Sequence, residues 1–560
     1  MAEQDKNEIS IAVMQANPHL GDVGANFQRL RQRRERAAEL GADLILTPEM
    51  FLSGYPADDL VLRRDFMDRI EAALQDIAEL TKDGGPAVIV GAPHQDADRL
   101  FNSVFVIDNG AILARRDKVN LPNYGVFDDK RNFTPGALHG PVSLRGWRFG
   151  LAVCEDIWFT DVCETLAESG AEMILSLNAS PFDTEKADQR LMQVVSRITE
   201  TDLPLVYANM VGGQDELVFD GGSFALNRGG KLACQFPYFS ESLSCVTARR
   251  LAGDVHLSGP TVHPESADEV LWRALMLGLR DYCDKNGFPS VILGLSGGID
   301  SAIVAALAVD ALGPERVHAV MMPSDYTAEI SLSDADELAK NLGITLQTIA
   351  IRSGMTAFDE MLASAFEGQS PDITEENIQS RLRGMLLMAL SNKFGHLVLA
   401  TGNKSEYAAG YSTLYGDMCG GFAPIKDVWK TRIFDLARWR NTALPKGALG
   451  PEGEVIPDRI ITRPPSAELR PDQQDTDSLP PYDILDQILI ALTEEMADIK
   501  TITARGFDPE MVRHASQLLF RAEYKRFQAA PGPKVTARAF GRDRRLPLTS
   551  GFRPQLTESS

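Results

Sequence analysis

From Val291 to Ser301 the chain reads Val-Ile-Leu-Gly-Leu-Ser-Gly-Gly-Ile-Asp-Ser, an apolar run of strand length that enters a glycine pair and then a helix-forming stretch. Ser301 to Leu312 is rich in Ala, Leu and Val, and Gly313-Pro314 stops it. Strand, loop and helix in this order present free backbone N–H groups, with the positive end of a helix dipole, to an anion. Gly297 and Gly298 let the main chain approach without a Cβ in the way, and the hydroxyls of Ser296 and Ser301 can donate hydrogen bonds. The Gly-Lys-Ser/Thr ending of a P-loop is missing, and Asp300 stands where its lysine might be expected, so the common kinase and GTPase reading is poor.

A chain of 560 residues exceeds one ordinary core, and two domains are expected. Hydrophobic residues make up 44% and charged residues 24%, the balance of a soluble globular protein. No apolar run approaches bilayer length, and Met1-Ala-Glu-Gln-Asp-Lys-Asn-Glu does not form a signal peptide, so no membrane association is expected. Six cysteines without a Cys-x-x-Cys pair argue against zinc, iron–sulfur or a disulfide framework and fit a reducing cytoplasm. A net charge of −22 excludes wholesale nucleic-acid binding. Arg521 to Arg553 departs from this balance, with nine Lys or Arg against two acids, and reads as a wall around a small polyanionic ligand.

In the first half, short β-like runs (Ile9–Gln15, Leu44–Thr47, Val88–Gly91, Ser103–Ile107, Phe149–Val153, Met173–Leu177, Leu205–Ala208) alternate with helical stretches, which predicts a layered α/β domain. Gln28 to Leu40 has helical spacing and five arginines, read as a solvated face. Gly221 to Ala233 reads as a hairpin turning at Asn227 to Gly230. Three polar groups stand at or between strand ends: Glu49 after Leu44-Ile-Leu-Thr-Pro, Cys154 after Phe149-Gly-Leu-Ala-Val, and Lys118 in Arg116-Asp-Lys-Val-Asn-Leu-Pro-Asn-Tyr-Gly. Strand ends hold catalytic groups rigidly while leaving them open to substrate. A cysteine needs a base to become a nucleophile; Glu49 can be that base while Lys118 stabilises negative charge.

The blocks Thr-Pro-Glu-Met, Lys-Val-Asn-Leu-Pro-Asn-Tyr-Gly-Val-Phe-Asp and Val-Cys-Glu-Asp-Ile-Trp together resemble the carbon–nitrogen hydrolase (nitrilase) family across roughly residues 9–250. The resemblance implies an αββα sandwich and a Glu49, Lys118 and Cys154 triad that releases ammonia from glutamine through an acyl-enzyme. It also implies that Tyr124, Ser180 and Lys186 contact the glutamine. In one respect the chain departs from the pattern: Asp128-Asp129 stands where relatives often carry Asp-Glu, so any auxiliary role of that glutamate passes to a shorter side chain or to none.

The domain boundary is placed in Leu251 to Pro264, which has glycines, prolines and no periodicity, giving domains 1–255 and 256–560. Beyond it, an amphipathic helix from Ala267 to Lys285 precedes the Ser296 loop. A strand from Val317, a helix Asp334–Leu342, a strand Ile344–Ile351, a helix Glu375–Lys393 and a buried run Leu397–Ala400 then predict a Rossmann-like parallel sheet whose strand ends gather around one crevice.

Ser-Gly-Gly-Ile-Asp-Ser resembles the pyrophosphate loop of the ATP pyrophosphatase superfamily, whose members adenylate a substrate oxygen. With Ala-Thr-Gly-Asn-Lys-Ser-Glu, Leu-Tyr-Gly-Asp, Arg-Pro-Pro-Ser-Ala-Glu-Leu-Arg and Glu-Tyr-Lys-Arg, the second half is similar to the NAD synthetase family. The fusion with a nitrilase-like half implies a cytoplasmic ligase, assembled as a homo-oligomer, that amidates ATP-adenylated deamido-NAD with ammonia drawn from glutamine. Residue by residue, the resemblance implies that Gly294, Leu295, Ser296, Gly297, Gly298, Ile299, Asp300, Ser301, Thr401 and Lys430 contact ATP. It further implies that Asp300 and Glu406 share Mg2+, and that Asn377, Arg381, Glu406 and Lys525 hold deamido-NAD. Ammonia in bulk at cytoplasmic pH is mostly ammonium, which is no nucleophile, so a sheltered route for it is expected. An asparagine- or GMP-synthetase-like acceptor is the alternative, disfavoured because those enzymes pair the loop with other glutaminase folds. Leu444 to Pro481, dense in Pro, Gly and charge, reads as a lid or a disordered loop, and Ser466 and its neighbours are expected to order over the substrates.

Overall fold

The computed structural model describes residues 7–470 and 473–552. The first six residues of the leading octapeptide, Pro471 of the proline-dense segment and Arg553 of the basic tail lie outside them. The chain divides into two compact units, Met1–Glu265 and Ser266–Ser560. Strand Asp254–Ser258, across which the boundary expected from composition falls, pairs antiparallel with Ser242–Leu251 of the first unit.

The first unit holds two large sheets. One runs in the order Asp254–Ser258, Ser242–Leu251, Glu8–Gln15, Leu44–Leu46, Ala87–Asp96, Arg99–Asp108, Ala111–Asp117. The other runs Leu232–Gln235, Phe224–Leu226, Leu205–Asn209, Met173–Asn178, Trp147–Val153, Val142–Leu144. Side-chain alternation sorts each strand between two apolar layers. Ile9, Ile11, Val13, Leu44 and Leu46 face Phe149, Leu151, Val153, Leu175 and Leu177 between the sheets. On the opposite faces, Ala12, Met14, Ile45 and Val90 pack with helices Val23–Glu39 and Arg64–Leu80, and Ala152, Ile174, Leu205 and Tyr207 with helices Asp161–Glu168 and Lys186–Thr201. The architecture is the αββα sandwich, with each buried Val, Leu or Ile contributing roughly 1.5–3 kcal/mol.

Arg34 corrects the reading of its helix as a uniformly solvated face. It is 2% exposed, donates through Nε to Pro86 O, and forms a bidentate pair with Asp83 at 2.6 and 2.8 Å. Composition marks arginine as exposed, but a guanidinium whose donors are satisfied can close the end of a helical core.

In the second unit four strands, Thr345–Thr348, Val317–Met321, Val291–Gly294 and Leu397–Val398, lie in that order and all run parallel. Helix Ile299–Leu312 follows the central strand and is buried on nearly every face, as its all-round Ala/Val/Leu composition requires. Its one internal carboxylate, Asp310, forms a bidentate pair with Arg440 at 2.6 and 2.9 Å and accepts from Trp272 Nε1 at 3.0 Å. Both charged side chains are fully buried. The Asp310→Ala variant strands that guanidinium in the core and is expected to destabilise the second unit by about 3–5 kcal/mol, read as a lowered denaturation midpoint.

Candidate functional site

In the first unit the turn after strand Leu44–Leu46 delivers Glu49 to the carboxyl edge of the sheet. Gly91 of the neighbouring strand makes room: a Cβ there would fall 2.5 Å from Met50 N and 2.7 Å from Pro48 O. Cys154 ends strand Trp147–Val153 with φ 46°, a left-handed conformation that costs a non-glycine residue energy and so marks a functional constraint. Asp156 braces this corner by accepting the N–H groups of Val119, Asn120 and Val153 at 2.8–3.0 Å. One carboxylate thereby ties the segment after Lys118 to the cysteine turn.

Lys118 is 1% exposed, and its Nζ lies 2.8 Å from both Glu49 Oε1 and Asp129 Oδ2. Asn102 Nδ2 donates to Glu49 Oε1 at 2.7 Å, and Ala179 N to Oε2 at 2.9 Å. Asp129 therefore reaches the lysine despite its shorter side chain, with Tyr55 Oη donating to its other oxygen at 2.9 Å. Neither Asn102 nor Tyr55 carries a signal in its local sequence. Burial draws the Lys118 ammonium down, but the charges of Asp129 and Glu49 outweigh it and hold its pKa well above the ordinary value. Burial, reinforced by the Glu49 charge, raises the Cys154 thiol well above its ordinary range, so it rests protonated and needs a base.

Of the expected glutamine contacts, Tyr124 is half exposed and donates its hydroxyl to Glu155 at 3.0 Å. Lys186 Nζ sits 4.4 Å over the Trp158 ring, and burial lowers its pKa. Ser180 is 2% exposed and follows Ala179 directly. The structure thus arrays all three on segments that adjoin Cys154 or Glu49.

In the second unit the loop Leu295–Gly298 joins its strand to helix Ile299–Leu312. Gly297 has φ 80°, and a Cβ there would meet Ser331 O at 2.3 Å, so only glycine fits. Ser296 Oγ and Ser301 Oγ lie 3.1 Å apart, closing the loop on itself. Lys430 Nζ sits between Asp300 Oδ2 at 2.5 Å and Glu406 Oε1 at 3.3 Å, and Asn403 Nδ2 donates to Asp300 Oδ1 at 2.8 Å. Burial, then the neighbouring Asp300 charge, pushes the Glu406 carboxyl up to about 8 against the pull of Lys430. Burial lowers Lys430, yet Asp300 and Glu406 more than restore it, so it stays an ammonium. Thr401 lies three residues past strand Leu397–Val398, which pairs with Val291–Gly294.

Asn377, Arg381 and Lys525 converge on residues 410–414. Asn377 Oδ1 accepts from Thr413 Oγ1 at 2.8 Å, Arg381 Nε donates to Leu414 O at 3.2 Å, and Lys525 Nζ donates to Gly410 O and Ser412 O at 2.8 and 2.7 Å. Three other basic residues of the tail are taken up inside the unit and are not available to a polyanionic ligand. Arg526 is spent on the carbonyls of Tyr407, Ala408 and Leu519, Arg544 pairs with Glu523, and Lys534 with Asp543.

The proline-dense segment packs on the loop. Arg463 donates to Gly297 O at 2.9 Å and Ser331 Oγ at 3.0 Å, Ser331 donates to Glu468 at 2.5 Å, and Asp475 accepts from Tyr482 Oη at 2.9 Å. Ser466 itself bonds within the segment, to Gln473 O at 2.5 Å. Arg463 heads the Arg-Pro-Pro-Ser-Ala-Glu-Leu-Arg block, but its reach to the Gly297 carbonyl carries no signal in that local sequence.

Among the described residues no group of three or more His, Cys, Asp or Glu is set to hold a metal ion. The paired carboxylates of Asp300 and Glu406 nonetheless suit a hard cation that completes its shell with phosphate oxygens, and the Lys430 ammonium between them marks a place favourable to positive charge.

On these properties, N-ethylmaleimide is expected to label the part-exposed Cys245 and Cys419 before the buried, protonated Cys154, as peptide mapping by mass spectrometry would read.

Residues 10–252 match the carbon–nitrogen hydrolase family, and residues 271–529 match NAD synthase. A glutamine-dependent NAD(+) synthetase of Rhodobacter capsulatus is 47% identical over 97% of this chain and 99% of its own length. One from Acinetobacter baylyi is 46% identical with the same coverage. The solved glutamine-dependent NAD+ synthetase of Acinetobacter baumannii, in complex with ADP, superposes with a TM-score of 0.78 at 42% identity, over 98% of this chain and 100% of its own. Two sites built on two folds, matched end to end by such relatives, leave no room for the asparagine- or GMP-forming alternative: the chain belongs to the glutamine-dependent NAD(+) synthetase family.

Proposed function

We propose that this chain makes NAD from deamido-NAD, ATP and glutamine. Cys154, relieved of its proton by Glu49, attacks the side-chain carboxamide of glutamine. The Lys118 ammonium accompanies the oxyanion, Glu49 returns the proton to the departing ammonia, and water frees glutamate from the thioester. In the second unit the nicotinate carboxylate of deamido-NAD attacks the α-phosphorus of ATP, releasing pyrophosphate. Ammonia then displaces AMP from the acyl adenylate to leave the amide of NAD.

The observation that carries this reading is the coexistence, in one chain, of a buried Glu49–Lys118–Cys154 set and an Asp300–Glu406–Lys430 cluster beside an anion-cradling loop. The ADP bound by the Acinetobacter baumannii relative supports an adenine nucleotide as ligand. Gly294 to Ser301, Thr401 and Lys430 contact ATP in this account, Lys430 as a fixed ammonium. Tyr124, Ser180 and Lys186 take glutamine, and Asn377, Arg381, Glu406 and Lys525 take deamido-NAD. Asp300 and Glu406 would hold Mg2+, which when bound neutralises phosphate charge. Glutamine hydrolysis falls to the unit Met1–Glu265 and NAD formation to the unit Ser266–Ser560 in this account, ten residues beyond the 255/256 boundary expected from composition. Cytoplasmic residence follows from the substrates. Assembly as a homo-oligomer is supported by Met361, Ile373, Met385 and Phe394, large apolar side chains left exposed on or beside helices of the second unit.

Cys154→Ala is expected to abolish NAD formation with glutamine as donor, by more than about 1,000-fold, and to leave formation with ammonium salts within about twofold of the parent, read by NAD production from deamido-NAD and ATP. Loss of both activities would refute two separate sites.

The raised Glu406 carboxyl gives a second expectation. Below about pH 8 it carries a proton that a cation must expel, so Mg2+ affinity measured by calorimetry rises as pH approaches about 8 and flattens above it. An affinity independent of pH between about 6 and about 8 would exclude Glu406 as a ligand.

A further inference from the structure

Glu49 Oε1 is held by Asn102 and Lys118, whereas among the described residues Oε2 accepts the Ala179 N–H alone. Ala179 belongs to neither helix nor strand: residues 179–182 leave the end of strand Met173–Asn178 as irregular chain. An N–H on such a segment points at a carboxylate only if something else fixes the peptide.

Asn209 supplies that fixture. It ends strand Leu205–Asn209, is 0% exposed, and accepts the Ser180 N–H on Oδ1 at 3.0 Å. Its Nδ2 donates to Gly221 O at 2.9 Å, with longer approaches to Asp220 Oδ1 at 3.3 Å and Ser180 O at 3.5 Å. Its own N–H donates to Ser223 Oγ at 2.9 Å. Behind it Asp220, 1% exposed, pairs with Arg190 at 2.9 Å, and Arg190 Nη2 comes within 3.5 Å of Pro181 O. An amide and an ion pair, all buried, therefore grip the Ser180–Pro181 stretch immediately after the N–H that Glu49 uses.

We propose that Asn209, backed by Asp220 and Arg190, is the positioning residue of the glutamine-hydrolysing site. It holds the Ala179–Ser180 stretch so that one N–H stays on Glu49 Oε2 and Ser180 stays beside it. Asn209 bonds to none of Glu49, Lys118 or Cys154, so it acts through the loop. The proposal rests on the glutamine-hydrolysing reading of the site.

The charged and titratable groups that face Glu49 are Lys118, Cys154, Tyr55 and Glu155, with Asp129 on the far side of the lysine. None of them hydrogen-bonds to Asn209. A carboxylate that loses an N–H donor binds its proton more tightly, so the acid limb of glutamine hydrolysis should move to higher pH.

The test uses the full chain and three preparations: the parent, Asn209→Ala, and the pair-swapped Asn209→Asp with Asp220→Asn, which keeps an acceptor for the Ser180 N–H and one carboxylate near Arg190. Glutamine hydrolysis is followed against pH, and ammonium-driven NAD synthesis is measured on the same samples. For Asn209→Ala the expected result is a fall in kcat of about 10–100-fold and an acid limb of kcat/KM moved up by about one pH unit, with ammonium-driven synthesis unchanged. The pair-swapped variant should place the limb where the parent has it. An Asn209→Ala limb that stays with the parent's while the rate falls overturns the proposal, and so does a pair-swapped limb displaced from the parent's. A parent that hydrolyses no glutamine removes the glutamine-hydrolysing reading itself.

Discussion

In each unit a lysine ammonium is taken out of water and held between two carboxylates. Lys118 lies between Glu49 and Asp129, and Lys430 between Asp300 and Glu406. Burying a lone ammonium costs several kcal/mol, and a second carboxylate beside the pair adds a negative charge that neighbouring donors must solvate or a proton must neutralise. The surrounding chain is arranged to supply them. Asn102, Ala179 N and Tyr55 serve the first cluster, and Asn403 the second. Each cluster is also a reservoir of displaced protonation equilibria, which the proposed chemistry draws on: a thiol that stays neutral until a base takes its proton, and a carboxyl that gives up its proton to a cation.

Glu49, Cys154 and Asp300 stand just past the carboxyl ends of strands with parallel neighbours, where the backbone is rigid up to the last residue and the following loop is free to turn; Lys118 follows the antiparallel edge strand Ala111–Asp117. Glycine sets the fit at those turns: Gly91 lets the Glu49 turn approach its neighbour strand, and Gly297 lets the anion loop pass Ser331. The strain at Cys154, φ 46°, has the same origin. A strand that ends in a nucleophile must turn sharply to expose it, and Asp156 holds the corner with three backbone N–H groups.

The proline-dense segment is the least regular part of the second unit, yet it is tied down by charge. Arg463 grips the Gly297 carbonyl, Glu468 receives the Ser331 hydroxyl, and Asp475 lies close enough to Lys430 to affect its charge state. Charged side chains on a loop do here what apolar ones do in a helix, because the surface they cover is polar. The basic tail follows the same logic: much of its charge is spent on helix-end carbonyls and acids of its own unit.

Strand and helix positions were readable in the sequence because they rest on local periodicity. Ile9 to Gln15, Met173 to Leu177 and the Ser296 loop carry their own pattern. Glu49, Lys118, Cys154, Asp300, Glu406 and Lys430 were also readable, as polar groups beside apolar strands and as family motifs. Arg34 and strand Asp254–Ser258 were misread, since a satisfied arginine and a short edge strand look like surface. What only the tertiary structure decided is which of these groups meet. Asp129 finds Lys118 and Tyr55, Asn403 finds Asp300, and Asn209 finds Ser180, across separations of 11 to 103 residues. No local pattern encodes such pairs, because their proximity is set by strand order and by the way each loop closes over the sheet edge.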